Sequence, residues 1–335
     1  MLSDIPVDVF LNILFLATPR ASSYTQKGRQ ALIAVCLTCL KAWKEIIYNS
    51  TMCWTSFVLE MDYIIEFNDR VALIDRWFRR AGERKLSLLV EDRKGSEVEN
   101  DDIVDVLVMP SATTQFKPAY KLFLKYSGSW ERIVFRNARF SWVHGLFIFL
   151  ERRGALPACF REVKHLGLKF YGHYLPNVLP LNHMPHIQRL GVQGRGDFMS
   201  FRSAYAGKWS RLRELEMGMV ASVSVHMQIL RECVNLTKLT IRGNSMFWYW
   251  ENQGSLNQAG LLREAQDLPI LLARLEELVF LGVIYTNAFL QDVTTPSLMI
   301  LGMTKHTTSP LEDWETASDI PALLERSKCA LQQLI

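Results

Sequence analysis

The sequence is poor in the features that mark several large classes of protein. Only 6 cysteines occur in 335 residues, too few and too scattered for the disulfide framework of a small secreted domain. The longest apolar runs, ALIAVCLTCL and LFIFL, are far shorter than a membrane-spanning helix. The opening residues, MLSDIPVDVF, lack the basic stretch of a secretory signal. We therefore expect a soluble cytoplasmic or nuclear protein with reduced thiols and no membrane partner.

An excess of charge of one sign is also missing. The chain has 38 Lys and Arg against 34 Asp and Glu, a net charge of +4, which is too mild for a protein that binds nucleic acid. The composition, 49% hydrophobic and 21% charged, is that of a folded protein. At this length we expect either two domains or one elongated, repetitive one.

The sequence lacks the motifs that usually carry catalysis. It contains no Gly-rich phosphate loop and no Gly-x-Ser-x-Gly elbow. The pair His183 and His186 has no third metal ligand at a useful spacing. Cys36 and Cys39 could serve redox or metal chemistry, but they lie in an apolar segment without a second pair, which favours packing in a core. We expect no enzymatic activity, no cofactor and no metal.

Two apolar segments near the N-terminus predict helices. In IPVDVFLNILFLA, apolar residues recur at helical spacing, and Pro6 stands in the first turn, where its missing N–H has no cost. The segment QALIAVCLTCLKAWKEII predicts a second helix, and YNSTMCWTSFVLE predicts a turn that leads into a strand. Trp43 and Trp54 lie 11 residues apart across this turn.

Together these segments resemble the F-box, most closely the F-box-like proteins abundant in mushroom-forming fungi. The resemblance covers about the first 60 residues, with Ile5 and Pro6 at the family's Leu-Pro position and the same Trp-to-Trp spacing. It departs from the family at Leu40, where Cys is usual, and at Thr51, where Pro is usual.

The resemblance implies that residues 1–53 form a helical module that docks a Skp-type adaptor and, through it, a cullin. The residues that the resemblance assigns to adaptor binding are Ile5, Pro6, Val9, Phe10, Ile13, Leu14, Leu40 and Trp43. The alternative is that the same residues form only the core of a small helical cap.

Residues 54–335 contain a repeated pattern, hydrophobic-x-x-hydrophobic-x-hydrophobic. The clear copies are VKHLGL from Val163, IQRLGV from Ile187, LRELEM from Leu212, LTKLTI from Leu236, LEELVF from Leu275 and LMILGM from Leu298. Their starts are separated by 24, 25, 24, 39 and 23 residues. Earlier copies are WTSFVL from Trp54, ERKLSL from Glu83 and WERIVF from Trp130, and ALQQLI from Ala330 begins a last one.

A period near 24 with this spacing is typical of leucine-rich repeats, which stack a short strand and a return segment per unit. We therefore expect an α/β fold in which a helical F-box-like module precedes an open, curved leucine-rich-repeat solenoid, with a parallel sheet on its concave face. The repeats are irregular, because only the copy at Leu236 has the asparagine of the pattern, Asn244. The chain ends mid-repeat, which would fit a truncated gene model or a short form.

The third and fifth residues of each copy should point outward from the sheet, and the fourth and sixth inward. The third position reads Arg189, Glu214, Lys238 and Glu277, so the signs alternate. This row is either a stabilising ladder or part of a binding face. The candidate target-binding residues are Arg189, Gln193, Glu214, Glu216, Lys238, Arg242, Trp248 and Trp250.

Two further segments can each be interpreted in two ways. RGNSMFWYWENQG opens an insertion of about fifteen residues, at roughly 245–260, whose aromatic side chains either fill core or anchor a target at the rim. EDRKGSEVENDDIVD is an acidic stretch that is either a solvated loop or a docking site.

The order of the segments leads to a functional hypothesis. The chain would be the substrate-recognition subunit of a cullin–RING ubiquitin ligase, with the F-box on the adaptor and the repeats on an unknown target protein. The alternative is a non-catalytic repeat scaffold whose degenerate F-box does not engage ubiquitin machinery.

Overall fold

The computed structural model describes residues 41–61, 65–92, 117–137, 140–174, 180–195, 208–218, 223–242, 269–282, 286–304 and 319–334. Before residue 41 it describes only positions 6, 9, 30, 31, 33, 34 and 37.

Helices and strands alternate along the described chain. The helices are α1 Lys41–Asn49, α2 Ile65–Arg79, α3 Lys117–Lys125, α4 Phe140–Arg152, α5 Leu156–Phe160, α6 Val223–Glu232, α7 Thr286–Asp292 and α8 Asp319–Ser327. The 3-10 helices are Thr51–Trp54, Pro180–His183 and Trp209–Arg211. The strands are β1 Ser56–Met61, β2 Leu86–Asp92, β3 Trp130–Arg136, β4 His165–Tyr174, β5 Arg189–Arg195, β6 Glu214–Gly218, β7 Lys238–Arg242, β8 Ile270–Leu271, β9 Glu277–Leu281, β10 Val293–Thr294, β11 Ile300–Thr304 and β12 Gln333–Leu334.

The chain forms two compact units of the α/β class. The first unit comprises residues 1–165 and 178–185, and the second comprises residues 166–177 and 186–335. In the first unit β1, β2 and β3 lie side by side and pair in parallel. The division does not fall at the boundary after residue 53 that we expected, and that boundary stays a prediction.

The second unit contains the larger set of strands. Their order is β4-β5-β6-β7-β9-β11-β12, and the pairs from β5 to β12 are parallel. The short strands β8 and β10 pair separately with each other, also in parallel. The expected α/β class and the parallel pairing are thus confirmed.

The repeated sequence pattern coincides with the strands. In β6, β7 and β9 the fourth and sixth residues of each copy are buried, as the alternation of a strand requires. These buried residues are Leu215, Met217, Leu239, Ile241, Leu278 and Phe280. The hydrophobic positions of the pattern therefore form the core on one side of the strands, and the remaining positions form an outward face.

A recurring hydrogen-bond pattern ties consecutive copies together in the second unit. The carbonyl of Gln188, at the second position of its copy, accepts bonds from the N–H groups of both Arg213 and Glu214, at 2.8 and 3.0 Å. The carbonyls of Arg213, Thr237, Glu276 and Met299 accept bonds in the same way from the next copy. In the five copies from Leu212 onward, this pattern marks the second and third positions independently of the side chains.

Two starting positions that we expected from the sequence are wrong. Ser87 pairs with Ser56 and Arg132, so the copy assigned to Glu83 starts two residues later, at Lys85. Gln333 pairs with Ile300, so the last copy starts at Leu331 and not at Ala330. Both stretches have neighbouring apolar residues that fit the pattern in more than one frame, and the backbone pairing decides between the frames.

The apolar spacing of DRVALIDRWFRRAG predicts a helix over residues 69–82. In the structure this helix begins and ends earlier, since α2 runs from Ile65 to Arg79. Gly82 lies in the turn that follows, with a positive φ of 63° that favours glycine. Ile74 and Phe78, on one side of α2, are fully buried. The Phe78 ring meets the ring of Trp130 at a centroid distance of 5.5 Å, which packs the helix against β3.

Asp75 links α2 to the end of α3. Its carboxylate accepts bonds from the amine of Lys125 at 2.5 Å, from the hydroxyl of Tyr126 at 2.8 Å and from Nε of Arg79 at 3.0 Å. Burial alone would raise the pKa of this carboxyl group, but its three partners outweigh that effect and lower the pKa to about 2. The ionised form therefore stabilises the first unit.

Candidate functional site

The outward face of the second unit brings together residues that are far apart in the sequence. In the strand pairing Arg189 lies beside Glu214, Glu214 beside Lys238, and Lys238 beside Glu277. The expected row of alternating charges is thus confirmed as a geometric feature.

The row contains two direct ion pairs. Nη2 of Arg189 lies 2.6 Å from Oε1 of Glu214, and Nζ of Lys238 lies 2.5 Å from Oε1 of Glu277. All four side chains keep contact with solvent. An exposed pair of this kind stabilises a protein by only about 0.2–1 kcal/mol, so the row is a minor source of stability.

A second cluster on the same face is centred on Glu216 of β6. One oxygen of its carboxylate accepts hydrogen bonds from Nζ of Lys169, at 2.6 Å, and from Nε of Arg242. Burial alone would raise the pKa of Glu216, but the two cations outweigh it and hold the pKa below its ordinary value. The carboxylate is therefore ionised at neutral pH and holds two cations that come from different strands.

Two glycines on this face lie directly beside longer side chains from neighbouring strands. Gly191 of β5 lies between Lys169 of β4 and Glu216 of β6, and a Cβ built at Gly191 would lie 3.6 Å from Lys169 and 3.7 Å from Glu216. The lysine therefore crosses a neighbouring strand at a point where that strand has no side chain. At Gly218 a Cβ would come within 2.6 Å of Cγ of Gln193, which occupies that space.

The structure brings most of the predicted target-binding residues to this face. Arg189, Gln193, Glu214, Glu216, Lys238 and Arg242 all lie on β5, β6 or β7. Trp248 and Trp250 lie outside the described residues, as do the insertion that they open and Asn244. The acidic stretch is described only at its first two residues, Glu91 and Asp92.

Our sequence reasoning missed Lys169, although it is the most buried cation of the cluster. Its side chain is 14% exposed, against 40% for Arg242. Lys169 occupies the seventh position of the copy at Val163, as Gln193 and Arg242 do in their own copies. Counting the seventh position of the Val163 copy among the candidate positions would have identified Lys169.

The predicted adaptor-binding residues are described only in part. Pro6 and Val9 are exposed, and the backbone of Trp43 lies in α1. The other five, Ile5, Phe10, Ile13, Leu14 and Leu40, lie outside the described residues, as do Cys36 and Cys39. Adaptor binding by this set therefore stays a prediction.

Trp54 packs the N-terminal segment against the first repeat. The side chain is fully buried, and its indole N–H donates a hydrogen bond to the carbonyl of Ile47 at 2.9 Å. The guanidinium of Arg80 lies 4.7 Å from the ring centroids of both Trp54 and Tyr48. The ring of Trp77 meets Trp54 edge to face at 4.7 Å. These contacts fix α1 to the helix α2 of the first repeat.

Within the described ranges, no group of three or more His, Cys, Asp or Glu could hold a metal ion. Burial raises the pKa of the Cys159 thiol to about 12 and also raises the pKa of Cys233, so neither is a ready nucleophile. None of the helices in the described part of the chain has the length and apolar character needed to cross a membrane.

No family model matches the chain, and no curated protein matches it.

Proposed function

We propose that this chain is the substrate-recognition subunit of a cullin–RING ubiquitin ligase. Its N-terminal F-box-like module docks a Skp-type adaptor, and its leucine-rich repeats hold a target protein. No residue of the chain performs the transfer itself. In this arrangement the chain's role is to bring the target to the ligase.

One observation supports the proposal that the repeats hold a target protein. The outward positions of β5, β6 and β7 display five charged candidate residues on one face, whereas the inward positions are apolar. Gln193, the sixth candidate on these strands, is buried. Parallel repeats that expose such a face on successive strands suit the binding of a protein surface. The adaptor half of the proposal rests on the resemblance of the first 60 residues to the F-box, which precedes the repeats directly.

Capture of a purified Skp-type adaptor by the full chain tests the adaptor half. Val9 and Leu73 form a matched pair for this purpose, because both are apolar and 43% exposed, and only Val9 belongs to the predicted adaptor-binding set. We expect Val9→Ser to weaken capture at least fivefold and Leu73→Ser to leave it unchanged. If the unaltered chain captures no adaptor, the ligase proposal is contradicted.

A second candidate function is a protein-binding scaffold without ubiquitin chemistry, and the position of Trp54 favours it. Trp54 corresponds to the second tryptophan of the F-box pattern, and here it is fully buried against Tyr48, Trp77 and Arg80. The N-terminal segment would then serve as a cap for the first repeat. A stable, folded chain that binds a target protein but no adaptor would favour the scaffold.

A further inference from the structure

The cations on the outward face of the second unit lie further out than the carboxylates that hold them. The exposed fractions of the side chains are 54% and 32% for Arg189 and Glu214, 42% and 27% for Lys238 and Glu277, and 40% and 26% for Arg242 and Glu216. A partner that approaches this face therefore meets guanidinium and ammonium groups first. The carboxylates lie beneath them and fix their positions.

Lys169 adds a further positive charge to this face, although its side chain is less exposed than those of the other cations. It is the least exposed cation of the cluster and bonds to the same carboxylate as Arg242. Glu216 therefore neutralises only one of the two cations that it holds. The sequence pattern suggests a balanced row, but the burial of the side chains makes its outer layer cationic.

The exposed cations are too far apart for one small anion to contact them together. Arg189 and Lys238 lie two strands apart, which corresponds to roughly 10 Å. Lys238 and Arg242 lie four residues apart along β7, which corresponds to roughly 13 Å. A ligand that engages all three must carry several negative charges spread over such distances.

We propose that the outward face of β5, β6 and β7 binds an acidic segment of a partner protein, with carboxylates of that segment at Arg189, Lys238 and Arg242. This inference rests on the proposed function, in which the repeats hold a target protein. It adds that the segment they recognise is acidic. The three cations are held in place by Glu214, Glu216 and Glu277, so they lose little side-chain freedom on binding.

A peptide fits this face better than a nucleic acid does. Three carboxylates, Glu214, Glu216 and Glu277, remain partly exposed beside the cations. A nucleic acid carries a phosphate at every nucleotide and would bring some of them against these carboxylates. An acidic peptide can place uncharged residues at those points.

The test measures binding of fluorescein-labelled ten-residue peptides to the full chain by anisotropy at 50 mM and 300 mM NaCl. We expect deca-glutamate to bind, deca-glutamine and deca-lysine not to bind, and salt to weaken the deca-glutamate complex. The variant Arg189→Gln with Arg242→Gln should weaken binding at least tenfold. The control Arg231→Gln, an exposed cation on α6, should change it less than twofold.

Equal binding of deca-glutamate by the double variant and the unaltered chain would overturn the inference, and so would tighter binding of a labelled ten-nucleotide oligothymidine. If circular dichroism shows that the double variant is unfolded, Lys238→Gln alone takes its place with the same expected direction. Adaptor capture is measured on the same preparation. A chain that captures the adaptor but ignores deca-glutamate contradicts this inference and leaves the proposed function standing.

Discussion

Replacing Glu216 by Gln should destabilise the second unit more than the same change at any other carboxylate of the outward face. Glu216 holds Lys169, whose side chain is only 14% exposed, as well as Arg242. The glutamine would leave a largely buried ammonium group without its counter-charge and beside a second cation. Uncompensated charges of this kind cost several kcal/mol when fully buried. With the remaining exposure of Lys169, we expect a loss of about 2 kcal/mol.

Glu277→Gln is the matched control, because Glu277 lies on the same face and bonds to Lys238, which is 42% exposed. Its loss should cost no more than about 1 kcal/mol. The two variants carry the same change in charge and nearly the same change in shape. A difference between them therefore reports the burial of the partner cation.

Urea denaturation, followed by far-UV circular dichroism and tryptophan fluorescence, measures the free energy of unfolding of each variant. The double variant Glu216→Gln with Lys169→Met should regain most of the stability, since it removes the buried ammonium group together with its partner. The reasoning is refuted if the double variant loses as much as the sum of its two single changes. It is also refuted if Glu216→Gln and Glu277→Gln unfold at the same urea concentration.

Three further outcomes follow from contacts described above. Gly218→Ala should destabilise the second unit by about 1–3 kcal/mol, because its Cβ would collide with Gln193, and adding Gln193→Ala should restore part of the loss in urea denaturation. Asp75 has a pKa of about 2 in the folded chain, so its stabilising effect is full above about pH 4 and is lost as the pH falls towards 2. Asp75→Asn should therefore lose about 1–2 kcal/mol at pH 7 and should show a flatter loss of stability between pH 4 and pH 2, measured by urea denaturation at each pH. Trp54→Ala should cost about 3–5 kcal/mol, because the residue is fully buried, and thermal denaturation of the variant would show it.

The repeated apolar pattern predicts the strands well because burial on one side of a strand selects every second residue. From Ile187 to Leu298 the copies fit only one frame, and the structure pairs them in that frame. At Leu86–Val90 three alternate residues, Leu86, Leu88 and Val90, are apolar and buried on the same face, so the pattern fits two frames that differ by two residues, and the predicted frame was two residues early.

The charge row was also predictable, because directly paired positions follow from the frame. The contact of Lys169 with Glu216 was not, because it joins two strands that are not neighbours in the sheet. The lysine passes Gly191 of the intervening strand, which has no side chain, and it is long enough to reach Glu216 beyond that strand. No rule of spacing within one copy of the repeat contains this information.

The pairing of β7 with β9 has a practical consequence. The two strands pair without a break from Lys238 and Glu277 to Arg242 and Leu281, although their copies start 39 residues apart and the other clear copies start 23–25 apart. The longer chain between Arg242 and Ile270 thus leaves the alignment of the two strands unchanged. A fluorescent reporter could be inserted into that interval, which follows Arg242 directly in the sequence, without a change in the strands themselves.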